Sequence, residues 1–167
     1  EELKIEKITN NLNFPIFVKP SNSGSSVGVK KARDVNELKL AIENASQYDR
    51  KIIAEEGIEG KEIECAILED GNNIIASTVG EIKSAEEFYS FDAKYNMPDS
   101  KTIIPAMIES EKISEIQNFA IKAFKAVDGR GLARVDFFVE KDTNKIYINE
   151  INTMPGFTKI SMYPKLF

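Results

Sequence analysis

The chain has 167 residues, 42% of them hydrophobic and 29% charged, the balance of a soluble globular protein with a real core rather than of a disordered or fibrous one. A net charge of −5 with acids and bases interspersed offers no basic stripe for a nucleic-acid backbone, and no run approaches the roughly 20 apolar residues of a membrane helix. The absence of histidine excludes a Ser-His-Asp triad, a Cys-His pair and the common His-containing zinc sites, so any metal must be held by carboxylates and amides, the hard oxygen ligands of Mg2+, Mn2+ or Ca2+.

In chain order, Glu1-Glu2-Leu3-Lys4 lacks the basic start and apolar run of a secretory signal, so the expected compartment is the cytoplasm. Phe14 to Val18 is a β-prone run that stops at Lys19-Pro20, and Val27 to Lys31 resumes after a Ser/Asn/Gly turn, which reads as a hairpin with a polar tip. Asp34 followed by Glu37 gives a capping-box-like start, and Leu38, Ala41, Ile42 and Ala45 fall on one face of the helix that follows. Strands are predicted from Lys51 to Glu55, Glu62 to Leu68 and Asn73 to Val79, with Gly57, Gly60 and Gly71 between them. The single cysteine, Cys65, sits in the apolar run Cys65-Ala66-Ile67-Leu68 and is read as core. Residues 81–104 are aromatic and polar without a period, the composition of a functional lid. A second helix is predicted over Ser110 to Val127 from the spacing of Ile113, Ile116, Ala120, Ala123, Phe124 and Val127, and Asp128-Gly129-Arg130-Gly131 ends it. Leu132 to Glu140 and Lys145 to Ile151 read as two strands around Lys141-Asp142-Thr143-Asn144, and no closing helix is expected before Phe167. This mixture of elements gives an α+β fold.

Four constellations could carry chemistry. In the last pair of strands, Arg134, Asp136 and Phe138 share one face, and Ile146, Ile148, Glu150 and Asn152 share one face of the partner. An odd number of loop residues then sets Asp136 opposite Glu150 and Arg134 opposite Asn152. Facing carboxylates destabilise a sheet, and a divalent cation between them reverses that penalty, with Asn152 adding a neutral oxygen. The alternative is a solvated face on which Arg134 pairs with both acids. Between the first two strands, Lys19-Pro20-Ser21-Asn22-Ser23-Gly24-Ser25-Ser26-Val27-Gly28 offers glycines for close approach to an anion, hydroxyl donors and a basal lysine: a phosphate cradle, or else a flexible hairpin tip. It matches neither the Walker pattern nor the dinucleotide fingerprint. The acidic cluster from Glu55 to Glu62 is either a solvated turn or a source of acceptors for an adenine amino group and ribose hydroxyls. In Phe91-Asp92-Ala93-Lys94-Tyr95, Lys94 could reach a triphosphate and Tyr95 a substrate, or the rings simply pin the loop.

Read together, three stretches resemble the D-alanine–D-alanine ligase family of the ATP-grasp superfamily. They are Val18-Lys19-Pro20-Ser21 through Gly24-Ser25-Ser26-Val27-Gly28, then Asp92-Ala93-Lys94-Tyr95, and finally Asn149-Glu150-Ile151-Asn152-Thr153-Met154-Pro155-Gly156-Phe157-Thr158 with Ser161 and Pro164 beyond. The last, preceded by Arg134-Val135-Asp136, is the most specific, and the resemblance covers nearly the whole chain. It implies an ATP-grasp fold of two α+β lobes whose antiparallel sheets sandwich ATP, with a small lobe at about 12–80, a lid at about 81–105 and a metal and substrate lobe at about 106–167.

The resemblance also implies residue roles. Lys19 and Lys94 contact the nucleotide phosphates, the loop bearing Gly24, Ser26 and Gly28 closes over them, and Glu55 and Glu62 hold adenine and ribose. Asp136, Glu150 and Asn152 bind two Mg2+ (or Mn2+) ions. Arg134 stabilises the transferring phosphoryl group, Gly156 gives a backbone donor to the tetrahedral intermediate, Ser25 and Tyr95 link loop and lid, and Ser161 holds the second amino acid's carboxylate. The implied reaction joins two D-alanines through an acyl phosphate at the expense of ATP, for peptidoglycan precursor synthesis, in a full-length protein that is a homodimer. The alternatives are a ligase that takes D-serine or D-lactate as second substrate, and a nucleotide-binding fragment inactive on its own. The family's amino-terminal domain and closing carboxy-terminal helix are not in these 167 residues, so a fragment is expected.

Overall fold

The computed structural model describes residues 5–24, 26–83 and 101–167. They form two compact units, and the chain passes from the first to the second between Ile58 and Glu59. Among the described residues no helix is long and apolar enough to cross a membrane.

In the first unit, β1 (Ile16–Pro20) is the central strand of a three-stranded sheet, antiparallel to β2 (Lys30–Ala32) on one side and β3 (Ile52–Glu56) on the other. Alternation along β1 decides the faces. Ile16 and Val18 are fully buried and meet Leu38, Ala41 and Ala45 of α2 (Val35–Ser46), with Ile5 and Ile8 of the short α1 (Ile5–Thr9) packed alongside. Phe17 and Lys19 point the other way. The expected cap starts α2: the Asp34 carboxylate accepts the N–H groups of Asn36 at 2.7 Å and Glu37 at 2.9 Å, while the Glu37 carboxylate reaches back one residue beyond the N-cap and accepts the N–H of Arg33 at 2.7 Å. Such a cap contributes about 1 kcal/mol. β1 runs through Lys19 and Pro20, which pair with Ile53 and Ile52, instead of stopping before them. A proline is tolerated there because pairing with β2 ends at Val18, leaving that side of the strand without a partner that needs its N–H.

The second unit is a five-stranded antiparallel sheet in the order β6 (Lys101–Ile103), β5 (Asn73–Lys83), β4 (Gly60–Asp70), β7 (Leu132–Glu140), β8 (Ile146–Asn152). Across one face lies α3 (Ser110–Ala126), which lays Ile116, Ala120 and Phe124 onto Ile63, Cys65, Ile67, Val79, Ala133, Val135, Phe137 and Val139. Each large side chain fully buried there is stabilised by roughly 1.5–3 kcal/mol relative to exposure. Val127, expected on this helical face, lies past the last turn and is 51% exposed. The chain then reverses at Asp128, whose φ is 50°, and the Gly129 N–H returns to the Phe124 carbonyl at 2.9 Å. A one-turn helix, α4 (Tyr163–Leu166), closes the described chain where none was expected, with Pro164 in its first turn. The Tyr163 hydroxyl donates to the Ile67 carbonyl at 3.0 Å, and Met162 and Leu166 occupy the space a side chain at Gly80 would need, on the face opposite α3.

Two expected boundaries move. β5 continues through Glu81, Ile82 and Lys83, and Lys101–Ile103 pairs with that end, so these residues are sheet and not lid; residues 84–100 lie outside the described residues. Among the described residues the first compact unit ends at Ile58, inside the span of about 12–80 expected for the small lobe. The reason is β4, which pairs with β7 from Gly60–Glu140 to Leu68–Leu132 and buries Ile63, Cys65 and Ile67 under α3, drawing β5 with it.

Candidate functional site

On the face of the second sheet turned away from α3, two adjacent rungs carry polar side chains. Asp136 pairs with Glu64 on one side and Glu150 on the other, and Arg134 pairs with Ala66 and Asn152. Both expected oppositions are therefore present, but loop parity does not produce them. Val139 pairs with Ile146 across residues 140–145, an even number, and that register continued would set Asp136 against Asn149. A bulge between the Phe137–Ile148 and Asp136–Glu150 pairs absorbs Asn149 and shifts the ladder by one. The bulge also corrects the expected face of β8. Ile146 and Ile148 pair with the core residues Val139 and Phe137 and so stand on the α3 side, whereas Glu150 and Asn152 stand with Asp136 and Arg134.

This is not a solvated face: Arg134 and Asp136 are 7% and 9% exposed. The guanidinium grips Asp136 in two places, Nε to Oδ1 and Nη2 to Oδ2, each at 2.7 Å. Its Nε is also 3.3 Å from Oε2 of Glu64, which is 6% exposed. Burial disfavours the charged guanidinium, yet the hydrogen bond and charge of Asp136, joined by the charges of Glu64 and Glu150, outweigh it and raise the Arg134 pKa above its ordinary value. Pairing is what allows these charges to persist out of water. Glu64 is absent from the sequence-based site set, although the signal for it exists. Ile63, Cys65 and Ile67 alternate as core residues, which turns Glu62, Glu64 and Ala66 to the face that carries Asp136. Glu62, partly buried, lies two residues from Glu64 on that face, opposite Ile82 and Phe138.

Beyond β8, the Asn152 Oδ1 accepts the N–H of Met154 at 3.1 Å and turns the chain into the loop that follows. In that loop the Ser161 hydroxyl accepts the Thr158 N–H at 3.0 Å and shares a 2.8 Å hydrogen bond with the Thr158 hydroxyl. A Cβ at Gly156 would stand 2.9 Å from the same Ser161 oxygen, so the loop brings Gly156 and Ser161 together and glycine admits the serine.

In the first unit, Lys19 and Glu55 project from adjacent strands on the face away from α2, and the Lys19 ammonium is 2.7 Å from the Glu55 carboxylate. The structure thus joins to each other two residues that the resemblance assigns to different parts of a nucleotide. The loop after β1 is held at both ends by the turn between α2 and β3. Ser21 N–H donates to the Lys51 carbonyl at 2.9 Å, and the Asn22 N–H and Nδ2 donate to Asp49 at 3.0 and 2.8 Å. At the other end Gly28, with φ +75°, lies where a Cβ would be 2.7 Å from the Tyr48 ring and 2.8 Å from Pro20. Among the described residues nothing lies within 4 Å of where a Cβ at Gly24 would stand, and Ser26 also takes a positive φ, 59°. Ser25, Lys94 and Tyr95 lie outside the described residues.

Among the described residues no three acidic or thiol side chains converge as a metal-binding group. The two rungs nevertheless present two carboxylates, Asp136 and Glu150, and the amide of Asn152, a donor set suited to a hard divalent cation. Each Asp136 oxygen bonded to Arg134 keeps acceptor capacity beyond that bond.

An α+β chain of antiparallel sheets with this polar face has the architecture of the ATP-grasp ligases, and solved structures of that class share it. The VanG D-Ala:D-Ser ligase from Enterococcus faecalis is 39% identical, with a TM-score of 0.85 over 97% of this chain and 47% of that one. The D-alanine-D-alanine ligase from Coxiella burnetii is 38% identical, with a TM-score of 0.81 over 99% of this chain and 42% of that one. The chain belongs to the family described as D-ala D-ala ligase C-terminus, whose model matches residues 1–167. Similar in sequence is the D-alanine--D-alanine ligase of Acetivibrio thermocellus, 58% identical over 163 residues, which are 98% of this chain and 43% of that protein. The chain spans less than half the length of these relatives.

Proposed function

We propose that the protein to which this chain belongs joins two D-alanine molecules into D-alanyl-D-alanine at the expense of ATP, in the cytoplasm and as a homodimer, and that these residues supply its nucleotide and metal chemistry. The observation that carries this reading is the pair of polar rungs, with buried Asp136 opposite Glu150 and buried Arg134 opposite Asn152. Neighbouring carboxylates of this kind beside one guanidinium leave an excess of negative charge, and a cation-bearing nucleotide offsets it.

A carboxylate oxygen of the first D-alanine attacks the γ-phosphorus, the bond to the bridging oxygen breaks, and ADP leaves with the electron pair. The amine of the second D-alanine then attacks the acyl carbon of the acyl phosphate. Inorganic phosphate departs with the electron pair of the C–O bond, and the amine loses a proton. Arg134 spends two of its five N–H groups on Asp136, and the others face the oxygens of the transferring phosphoryl group. Lys19 and the backbone around Gly24, Ser26 and Gly28 contact phosphate, which requires Lys19 to exchange Glu55 for the nucleotide. Glu55 and Glu62 accept from adenine and ribose. Asp136, Glu150 and Asn152 hold two Mg2+ or Mn2+ ions, which when bound neutralise phosphate charge. The Gly156 N–H donates to the oxyanion of the tetrahedral intermediate, and Ser161 exchanges Thr158 for the carboxylate of the second amino acid.

The similarity to a D-Ala:D-Ser ligase supports D-serine as the second reading for the amine substrate. Phosphate release from ATP by the full-length protein separates the two when D-alanine is supplied alone, or with D-serine or D-lactate. Release with D-alanine alone, yielding D-alanyl-D-alanine, is expected. Tight ATP binding without phosphate release in any mixture would overturn the catalytic reading.

A further inference from the structure

We propose that Glu64 is a positioning residue that holds the Arg134 guanidinium whenever Asp136 turns from it towards a cation. The inference rests on the ligase reading, in which Asp136 serves a metal ion. Asp136 then has two roles that compete for the same oxygens, because in this structure Arg134 engages both of them at 2.7 Å. When one oxygen rotates to a cation, Arg134 loses part of its grip, and a buried guanidinium without a partner would swing or draw in water.

Glu64 is placed to prevent this. It comes from β4, on the other side of β7 from Glu150, pairs in register with Asp136, and lies 3.3 Å from the same Nε that Asp136 holds. At 6% exposure its carboxylate is withdrawn from water, a costly placement for a charge that serves only as a solvated surface acid. Its neighbour across β5 is Gly80, over which Met162 and Leu166 close, so α4 walls off the Glu64 end of the rung while Glu150 is exposed at the other. The rung is therefore asymmetric. Its dry end anchors the arginine, and its open end meets the cation.

The test is the solvent exchange of the Arg134 Nε–H proton, followed by NMR in the full-length protein and assigned by its loss in Arg134→Lys. Adding Mg2+ and ADP should leave this proton protected in the native protein, whereas in Glu64→Gln the same addition should speed its exchange about tenfold or more. Turnover should follow, with kcat falling about tenfold and KM for ATP staying within about twofold. Glu64→Asp, which keeps the charge but withdraws it by one methylene, should give intermediate exchange, and it decides the matter if the glutamine variant fails to fold. A merely structural role predicts a lower Tm with exchange and kcat of the folded variants unchanged, and that result overturns the proposal. If the native protein does not consume ATP with D-alanine, the ligase reading fails by itself, and the exchange measurement still decides whether Glu64 holds Arg134.

Discussion

Asp136 and Glu150 face each other across β7 and β8 because Asn149 bulges out of the ladder between them. Deleting Asn149 lets the register set by Val139 and Ile146 run on without interruption, and Glu150 still falls opposite Asp136. The deletion variant is expected to fold and to keep Mg2+-dependent nucleotide affinity within about threefold by calorimetry. A second residue inserted after Asn149 turns Glu150 to the α3 face, because a slip of one flips a strand's side chains, and should abolish that affinity. Loss of binding in the deletion variant would show that the bulge's own backbone geometry is needed to aim Glu150.

Arg134 separates carboxylates that would otherwise share a dry face. Arg134→Ala leaves Glu64 and Asp136 buried without their counter-charge, an expected loss of about 3–5 kcal/mol of stability in urea unfolding. Adding Asp136→Asn to that variant removes one of the stranded charges and should recover part of the loss, so the two substitutions are expected to be strongly non-additive. Simple additivity would mean that the ion pair seen at 2.7 Å contributes little.

Local signals made much of this arrangement legible. The capping pair Asp34 and Glu37 and the helical spacing of Leu38, Ala41 and Ala45 are short-range features, and α2 starts where they place it. Strand alternation likewise set Arg134 and Asp136 on one face of β7. The bulge escaped because loop parity says nothing about an interruption further along the strand. The spacing of Ile146, Ile148 and Ile151, two and then three, is its trace in the sequence. For Glu64 alternation signals the face but not the partner: its registry with Asp136 joins strands far apart in the chain, and no local pattern specifies that pairing. The same holds for Lys101–Ile103, which is a strand only because β5 extends to meet it.

Acid should loosen the protein at identifiable points. Glu69 accepts the Gly131 N–H and the Arg130 guanidinium, each at 2.8 Å, tying the end of β4 to the turn before β7. The Gly131 bond first, and Arg130 next, hold its carboxyl below the ordinary value of 4.5, and the backbone and side chain of Asn13 do the same for Glu56. With the folded pKa below the unfolded one, the unfolded chain takes up protons first as pH falls. The stability from these contacts is therefore complete above pH 4.5 and is lost as pH drops through the folded values. The unfolding midpoint should fall in that acid window, and Glu69→Gln should make the fall shallower. An identical slope in that variant would exclude Glu69 as a contributor.

Cys65 provides an internal reporter for these comparisons. Its side chain is fully buried in the β4 and α3 core, and burial pushes the thiol pKa up to about 12 against the opposing contacts from Ser77. Since the thiolate is the reactive form, the folded protein at pH 8 should be inert to iodoacetamide, and labelling should proceed only through opening of the core. These 167 residues hold a single cysteine, so labelling read on the peptide that contains Cys65 has one source. When reclosing is faster than alkylation, the rate follows the open population. A loss of about 3–5 kcal/mol in Arg134→Ala should then raise labelling by roughly two to four orders of magnitude. Labelling of the unaltered protein at the rate of an exposed thiol would instead show that β4 opens locally at Cys65, without unfolding of the core beneath α3.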